Sequence, residues 1–205
     1  MGKALNAKQL QMRERIAQAA ARLIAQDGVH DYALAKRKAA RQLGAPDTHS
    51  LPSNGEVEQA VRAYQALYQK DEHAEHLRRL RIEALDWLRL LERFNPYLTG
   101  SVLNGTASRH SDINVQLFTD SSKDVELFLL GRGLAYKAGE KKVRAGDGVR
   151  LVPTLTLVGP QALLELAVLE PEALRTAPRV VPEGKLPERA RAAQLEALLE
   201  AEPAE

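Results

Sequence analysis

The hydrophobic period of the chain changes near residue 95, and this change sets the fold class. Before it, apolar residues recur at helical spacing, as in AKQLQMRERIAQAAARLIAQDG (7–28) and DYALAKRKAARQLG (31–44). After it come short, β-rich runs bounded by Gly, Ser and Asp: PYLTG, DINVQLF, LAYKA and VRLVPTLTLV. The pattern predicts an α+β or α/β protein, in which a helical N-terminal region precedes a small mixed sheet with flanking helices.

Capping and turn residues place the ends of these elements. Asp31 is a predicted N-cap, and Gly28 and Gly44 are predicted helix stops. Two more helices are expected around 55–69 and 73–94, after the loop APDTHSLPSNGE. From PYLTG onward the predicted order is strand, short turn or helix, strand, helix (SSKDVELFLLGRG), strand, strand, helix. The expected divisions are a helical region over 1–93, an α/β core over 94–170, and a C-terminal linker with an amphipathic helix over 171–205.

Composition narrows the class of protein without choosing a function. The 205 residues carry a formal net charge of +2, which argues neither for nor against nucleic acid. There is no cysteine, so disulfides and cysteine-based zinc sites are excluded. No apolar run approaches the roughly 20 residues that span a bilayer, and MGKALNAKQLQMRER lacks the apolar core of a signal peptide. We therefore expect a cytoplasmic protein that does not enter a membrane.

The stretch TGSVLNGTASRHSDINVQLF (99–118) has the residue types of a phosphate and metal site. The Gly100–Ser101 pair leaves a strand, where glycine lets the backbone approach a polyanion closely. Asp112 stands at the start of the next strand and supplies an oxygen ligand of the kind that Mg²⁺ prefers. Alternation along that strand predicts that Asp112 and Asn114 face the same ligand.

This stretch resembles the nucleotidyltransferase superfamily, which includes polymerase-β-like and minimal nucleotidyltransferases. The family pattern is a strand ending in Gly-Ser, a glycine-containing helical turn, and Ser-Asp-hydrophobic-Asp on the next strand. The positions that match it are Gly100, Ser101, Gly105, Ala107, Ser111 and Asp112. The resemblance covers about residues 94–158. It implies an NTP bound with Mg²⁺ and a nucleotidyl group transferred to an RNA, protein or small-molecule acceptor.

The resemblance also implies roles for particular residues. Asp112 would be the metal ligand, and Asp112 and Asn114 would be the catalytic pair. The nucleotide would be held by residues of the turn and the loop that follows it: Gly100, Ser101, Gly105, Arg109 and Ser111.

Two departures from the family pattern weaken the predicted metal site. Asn114 stands where the family carries a second Asp, and VRLVPTLTLV holds no third carboxylate. Asp147 and Glu126 lie near the expected place without occupying it. The metal site is therefore degenerate, and the rival prediction is an inactive member of the fold that binds a nucleotide, a nucleic acid or a partner chain.

Simpler interpretations stay open for this stretch and for the histidines. SVLNGTASRHSD is also compatible with a polar loop in which Ser111 and Asp112 are turn or capping residues. His73 and His76 have the i, i+3 spacing of two ligands on one helix face, but no further residues complete a zinc set.

A basic segment in the second helix is a candidate contact for RNA or DNA. It places Lys36, Arg37, Lys38 and Arg41 within two helical turns. Only Tyr32 is close enough to stack on a base, so a solvated basic face is the favoured interpretation. A DNA-binding regulator that uses these helices is a third, weaker hypothesis.

Overall fold

The computed structural model of the protein describes residues 7–29, 31–45, 51–68, 70–145, 148–175 and 189–201. Helices dominate the first part of the chain, and five strands follow. The helices are α1 (Ala7–Asp27), α2 (Tyr32–Gln42), α3 (Asn54–Tyr68), α4 (Lys70–Leu90), α5 (Gly100–Asn104), α6 (Ser122–Gly131), α7 (Glu172–Arg175) and α8 (Ala192–Ala201). The strands are β1 (Pro96–Thr99), β2 (Ile113–Phe118), β3 (Tyr136–Ala145), β4 (Gly148–Val158) and β5 (Leu163–Leu169). The predicted class, a helical region followed by a mixed sheet with flanking helices, is confirmed.

The chain divides into two compact units. A helical unit comprises residues 1–76 together with the segment 106–111, and a sheet unit comprises residues 77–105 and 112–205. The segment 106–111 belongs to the motif at 99–118, so the motif contributes residues to both units. None of the helices among the described residues is long and apolar enough to cross a membrane.

The helical unit is built around small residues. Ala20, Ala35 and Ala39 are fully buried, and they pack with Ile16, Val57 and other apolar residues in one cluster. Alanine lets helices approach closely and also favours the helical backbone. The predicted N-cap of α2 is confirmed, because the Asp31 carboxylate accepts hydrogen bonds from the backbone N–H groups of Ala33 and Leu34 at 2.7 and 3.2 Å.

A capping box fixes the start of α3. The Ser53 hydroxyl accepts from the Glu56 N–H at 3.2 Å, and the Glu56 carboxylate accepts from the Ser53 N–H at 2.7 Å. Arg13 of α1 donates to both oxygens of Glu56, at 2.7 and 2.5 Å. These hydrogen bonds lower the pKa of Glu56 to about 2, with the Arg13 guanidinium the largest cause and Ser53 the next. One carboxylate thus joins two helices and caps one of them.

The sheet of the second unit has the strand order β1-β2-β5-β4-β3. β2 and β5 are parallel, and the other neighbouring pairs are antiparallel. Along β2 the apolar residues Ile113, Val115 and Leu117 are buried, while Asn114 and Gln116 between them are half-buried. This alternation shows that one face of the sheet packs on the core at the start of β2 and that the opposite face carries polar side chains there. Farther along, that opposite face also packs apolar residues, among them Phe118, Val152 and Leu169.

The predicted element order is wrong after β4. A helix was expected there, but residues 163–169 form β5, which lies between β2 and β4 in the centre of the sheet. Leu, Ala and Glu favour helices, yet pairing on both sides with β2 and β4 provides the backbone hydrogen bonds of a strand. The final helix begins only at Ala192. Residues 176–188 of the predicted C-terminal linker lie outside the described residues.

Candidate functional site

A row of polar residues crosses one face of the sheet at the same level on all five strands. Register pairs Thr99 with Asn114, Asn114 with Glu165, Glu165 with Thr156, and Thr156 with Lys137. Residues directly opposite one another on neighbouring strands point to the same face. We call these five residues the polar row. It lies at the start of β2, beside the turn that carries the Gly-Ser pair.

Glycine is required where this turn meets the polar row. Gly100 has φ +75°, a left-handed conformation that residues with a Cβ rarely adopt. A Cβ at Gly100 would lie 3.6 Å from Nδ2 of Asn114, so the backbone passes directly over that side chain. The short helix α5 then begins, and Ser101 is half-buried in its first turn. Gly100 and Asn114 are therefore immediate neighbours, and the positive φ is the reason that glycine is favoured here.

A buried arginine holds the far end of α5. The Arg81 side chain is only 5% exposed, and its guanidinium donates to the carbonyl oxygens of Val102 (3.0 Å) and Leu103 (2.9 Å). Carbonyls in the last turn of a helix have no partner within the helix, and a cation satisfies them well. Gly105 ends the helix with φ +77°, and its N–H donates to the Ser101 carbonyl. The end of α5 that lies away from Gly100 is thus anchored by Arg81 of α4.

The Lys141 ammonium joins the two polar side chains at the centre of the row. It donates to Oδ1 of Asn114 at 3.4 Å and forms an ion pair with Oε1 of Glu165. Asn114 is fixed from its other side, because its Nδ2 donates to the backbone carbonyl of Asp112 at 3.2 Å. Lys141 lies on β3, and β4 separates that strand from β5. The lysine side chain therefore reaches across β4 to place its charge on Glu165.

These residues line a groove of about 230 Å³ on the polar face of the sheet. The residues of the groove are Thr99, Asn114, Val115, Gln116, Lys141, Lys142, Glu165 and Ala167. Oε1 of Gln116 is buried and has no hydrogen-bond partner among the described residues. A buried polar atom that lacks a partner is energetically costly unless a ligand or solvent satisfies it. The groove therefore offers an ammonium, an amide and a carboxylate to a polar ligand.

The structure separates the predicted site residues into two groups. Gly100, Ser101, Gly105, Asp112 and Asn114 belong to the sheet unit, and Asp112 is half-buried immediately before β2. Arg109 and Ser111 belong to the segment 106–111 of the helical unit.

Helical residues hold the segment 106–111 in place. Gln65 donates to the carbonyl oxygen of Ala107 at 3.2 Å, and a ring nitrogen of His76 lies 3.2 Å from the Ser108 carbonyl oxygen. Ser111 is buried, and its hydroxyl accepts from the Ser108 N–H at 2.9 Å. Arg109 is exposed. Ser111 thus has the turn-forming contact that was one of its two predicted roles.

The alternative carboxylates and the histidine pair have other positions. The Glu126 carboxylate accepts from the Tyr136 hydroxyl at 2.9 Å, and this hydrogen bond raises the pKa of Tyr136. Asp147 lies outside the described residues. His76 binds the 106–111 segment, and no group of three or more His, Asp or Glu side chains suited to a metal ion occurs in the described ranges.

The residues of the polar row do not fit the pair of magnesium ions that the family resemblance implies. Mg²⁺ takes anionic and carbonyl oxygens, and two ions need several carboxylates. Here Asn114 is neutral, and the Glu165 carboxylate is paired with the Lys141 ammonium. The Lys141 ammonium already lies on Oδ1 of Asn114 and Oε1 of Glu165, so repulsion opposes a divalent ion at these two oxygens.

Sequence reasoning missed Glu165, which lies in the polar row, and Lys141, whose ammonium contacts it. The signal for Glu165 was present: LLELAVL is a short apolar run between Gly159-Pro160 and Pro171, which is typical of a buried strand. Recognising that strand would have placed a carboxylate on it. Lys141 had no such signal, since its position depends on how far the side chain reaches across β4.

The basic segment of α2 is partly used within the helical unit. Lys36 donates to the Pro52 carbonyl at 3.0 Å and to Oδ1 of Asn54 at 2.8 Å. Arg37, Lys38 and Arg41 are exposed. Three cations therefore face solvent, and contact with RNA or DNA stays a prediction for this segment.

Comparisons with known proteins include the following partial structural similarities. No protein-family model matches the sequence. No curated protein matches it. A chain in the structure of the GLD-2/RNP-8 complex is 22% identical, with 58% of this chain and 49% of that chain covered and a TM-score of 0.33. A cytoplasmic RNA terminal U-transferase is 18% identical, with 56% and 36% covered and a TM-score of 0.33. The matches span about half and about a third of those chains, so they assign no substrate to this one.

Proposed function

We propose that the sheet unit is a nucleotidyltransferase-like unit that binds a nucleoside triphosphate in the groove and has a binding or regulatory role without nucleotidyl transfer. One observation carries the proposal: the Lys141 ammonium lies on Asn114 and Glu165 beside the Gly100 turn. A cation at this position suits a phosphate ligand and at the same time opposes a divalent metal.

The charges of the groove support binding rather than transfer. The groove is lined by one carboxylate (Glu165) and two ammonium groups (Lys141 and Lys142), which together leave a single net positive charge at neutral pH. Asn114 contributes a neutral amide. The family pattern gathers carboxylates at this place to hold cations against the triphosphate. Here an amide and an ammonium present hydrogen-bond donors instead, which a phosphate group accepts directly.

Nucleotidyl transfer to an RNA, protein or small-molecule acceptor is the second candidate, and Glu165 favours it. This residue supplies a carboxylate on the strand next to β2, in register with Asn114. Together with Asp112 it provides two of the anionic groups that the resemblance requires. Transfer would first require Lys141 to leave Glu165, since the ion pair occupies that carboxylate.

Calorimetry with each of the four NTPs, with and without Mg²⁺, tests the proposal on the wild-type chain and on Asn114→Asp. We expect the wild type to bind at least one NTP and to yield no product when RNA oligonucleotides are added. Absence of binding in both proteins under both conditions would refute the proposed function. Formation of an extended RNA by the wild type would establish the second candidate instead.

Asp112→Ala separates the two candidates further, with Asp120→Ala as the matched control at an exposed position. If transfer occurs, Asp112→Ala should abolish it, because the site loses a carboxylate beside Asn114. Under the binding proposal neither variant produces a transfer product, and both keep the circular dichroism spectrum of the wild type. Transfer that persists in Asp112→Ala would contradict the assignment of this site.

A further inference from the structure

We infer that Lys141 is the phosphate-binding cation of the groove, in the place that a metal ion would take, so that triphosphate binding does not depend on divalent metal. This inference rests on the proposed function, since it specifies how the same groove holds its ligand.

The position of the ammonium is the first support. Lys141 has two oxygen partners, Oδ1 of Asn114 and Oε1 of Glu165, which belong to neighbouring parallel strands. An ammonium has three N–H donors, so two contacts leave one donor for a ligand. The lysine side chain is 45% exposed, which keeps that donor accessible from the groove. Its two protein contacts therefore fix the charge while its third donor stays open.

Asn114 is suited to this lysine in a way that an aspartate is not. Its amide nitrogen donates to the Asp112 carbonyl, and this contact directs its amide oxygen toward Lys141. An ionised aspartate only accepts hydrogen bonds, so it would face the Asp112 carbonyl with a second acceptor. The residue that departs from the family pattern thus has two hydrogen bonds that depend on its being an amide. The amide oxygen of Asn114 thus helps to hold the Lys141 ammonium in the groove.

If Lys141 takes the place of a metal ion, its ammonium is the cation that balances the charge of the Glu165 carboxylate. Two cations that contact the same carboxylate repel each other, which opposes a metal ion at Glu165 while Lys141 is in place. Glu165 has only Lys141 as a polar partner among the contacts of the described residues. With Lys141 in place the carboxylate is neutralised, and a triphosphate approaches an ammonium rather than a bare anion.

Titration calorimetry with ATP, GTP, CTP and UTP, in EDTA and in excess Mg²⁺, tests the inference on the full chain. We expect binding in EDTA, with Mg²⁺ changing the Kd by no more than about threefold. Lys141→Gln should weaken binding in EDTA by about tenfold, as expected for the loss of one charge-assisted hydrogen bond. Lys123→Gln, which removes the same charge from an exposed position on α6, should leave the Kd unchanged.

Titration of Mn²⁺ alone, followed by electron paramagnetic resonance, gives a readout independent of the nucleotide. The wild type should not bind the ion at this site, whereas the double variant Lys141→Gln, Asn114→Asp should bind it. Wild-type NTP binding that requires Mg²⁺, or that is unchanged by Lys141→Gln, would overturn the inference and leave the proposed function standing. No NTP binding under any condition would overturn both.

Discussion

Two ion pairs, one in each unit, look alike and differ in what surrounds them. Arg13–Glu56 and Lys141–Glu165 join residues 43 and 24 positions apart, and both are partly exposed. Glu56 also accepts the Ser53 N–H at the start of α3, so the helix itself needs this carboxylate. Glu165 lies in the middle of a strand, and its carboxylate accepts from no backbone N–H among the described residues. Lys141–Glu165, which caps no helix, is therefore the better candidate of the two ion pairs for binding a ligand.

The largest expected effect on stability comes from a substitution beside Glu83, a carboxylate that accepts hydrogen bonds within the sheet unit. Glu83 is buried and accepts from the Gln161 N–H at 2.9 Å and from the Trp87 indole at 3.3 Å. A Cβ at Gly159 would lie 2.0 Å from Oε1 of Glu83 and 2.7 Å from the Ala162 carbonyl oxygen. Gly159→Ala should therefore displace a buried charge or its turn, and lower the free energy of unfolding by about 3 kcal/mol.

Urea denaturation measures this change, and Gly131→Ala is the control. Gly131 ends α6, and no heavy atom lies within 4 Å of its would-be Cβ. We expect this control to be as stable as the wild type or slightly more so, because alanine favours a helix over glycine. A stable Gly159→Ala protein would contradict the structural role of Glu83.

A smaller effect is expected at Glu56, and it depends on pH. Glu56→Gln should lower the free energy of unfolding at neutral pH by no more than about 1 kcal/mol, since the side chain is 42% exposed and solvent screens the pair. The pKa of Glu56 is about 2 in the folded protein and 4.5 ordinarily. The stabilisation should be complete above pH 4.5 and should disappear as pH falls through about 2.

Denaturation curves from pH 7 downward test this dependence, with Glu58→Gln as the control. Glu58 pairs with Arg62 on the same helix but caps no backbone N–H among the described residues. Its replacement should cost less than that of Glu56 at pH 7. A difference between wild type and Glu56→Gln that stays constant down to pH 2 would rule out the capping pair as its source.

The smallest effect on stability is expected at Lys141, and it tests directly how the two ion pairs differ. Lys141→Gln should change the free energy of unfolding by less than about 0.5 kcal/mol, because partly exposed ion pairs contribute little. The same substitution is expected to weaken NTP binding, so stability and binding should separate. Thermal unfolding alongside calorimetry measures both, and a large loss of stability would show that the pair is structural, like Arg13–Glu56.

Local chemistry made much of this fold predictable. Asp31 caps α2 as expected, and the strand DINVQLF alternates between buried and half-buried residues because one face packs on the core. Such features depend on neighbours in sequence. β5 depends on pairing with β2 and β4, and its Leu, Ala and Glu residues favour the wrong element on local grounds.

In the candidate site too, some residues could be located from the local sequence, and others are brought to the site only by the order of the strands. The Gly100 turn and Asn114 could be located from the motif, because each lies within or beside a strand end that the sequence marks. Glu165 and Lys141 come from strands that follow in the chain, and only the sheet order brings them to Asn114. Arg109 belongs to the segment 106–111, in which Gln65 and His76 hold the carbonyls of Ala107 and Ser108, and its contact with a nucleotide stays a prediction.

Because residues 106–111 belong to the helical unit, this unit is not one continuous stretch of the chain. A gene fragment that ends at residue 76 would encode the helices of that unit without the segment that completes it. The buried amide of Gln65 would then lose its carbonyl partners, at Thr106 and Ala107. The helical unit therefore cannot be moved to another protein as a single continuous fragment. A chimaera that contains it must also include residues 106–111, which belong to the motif at 99–118.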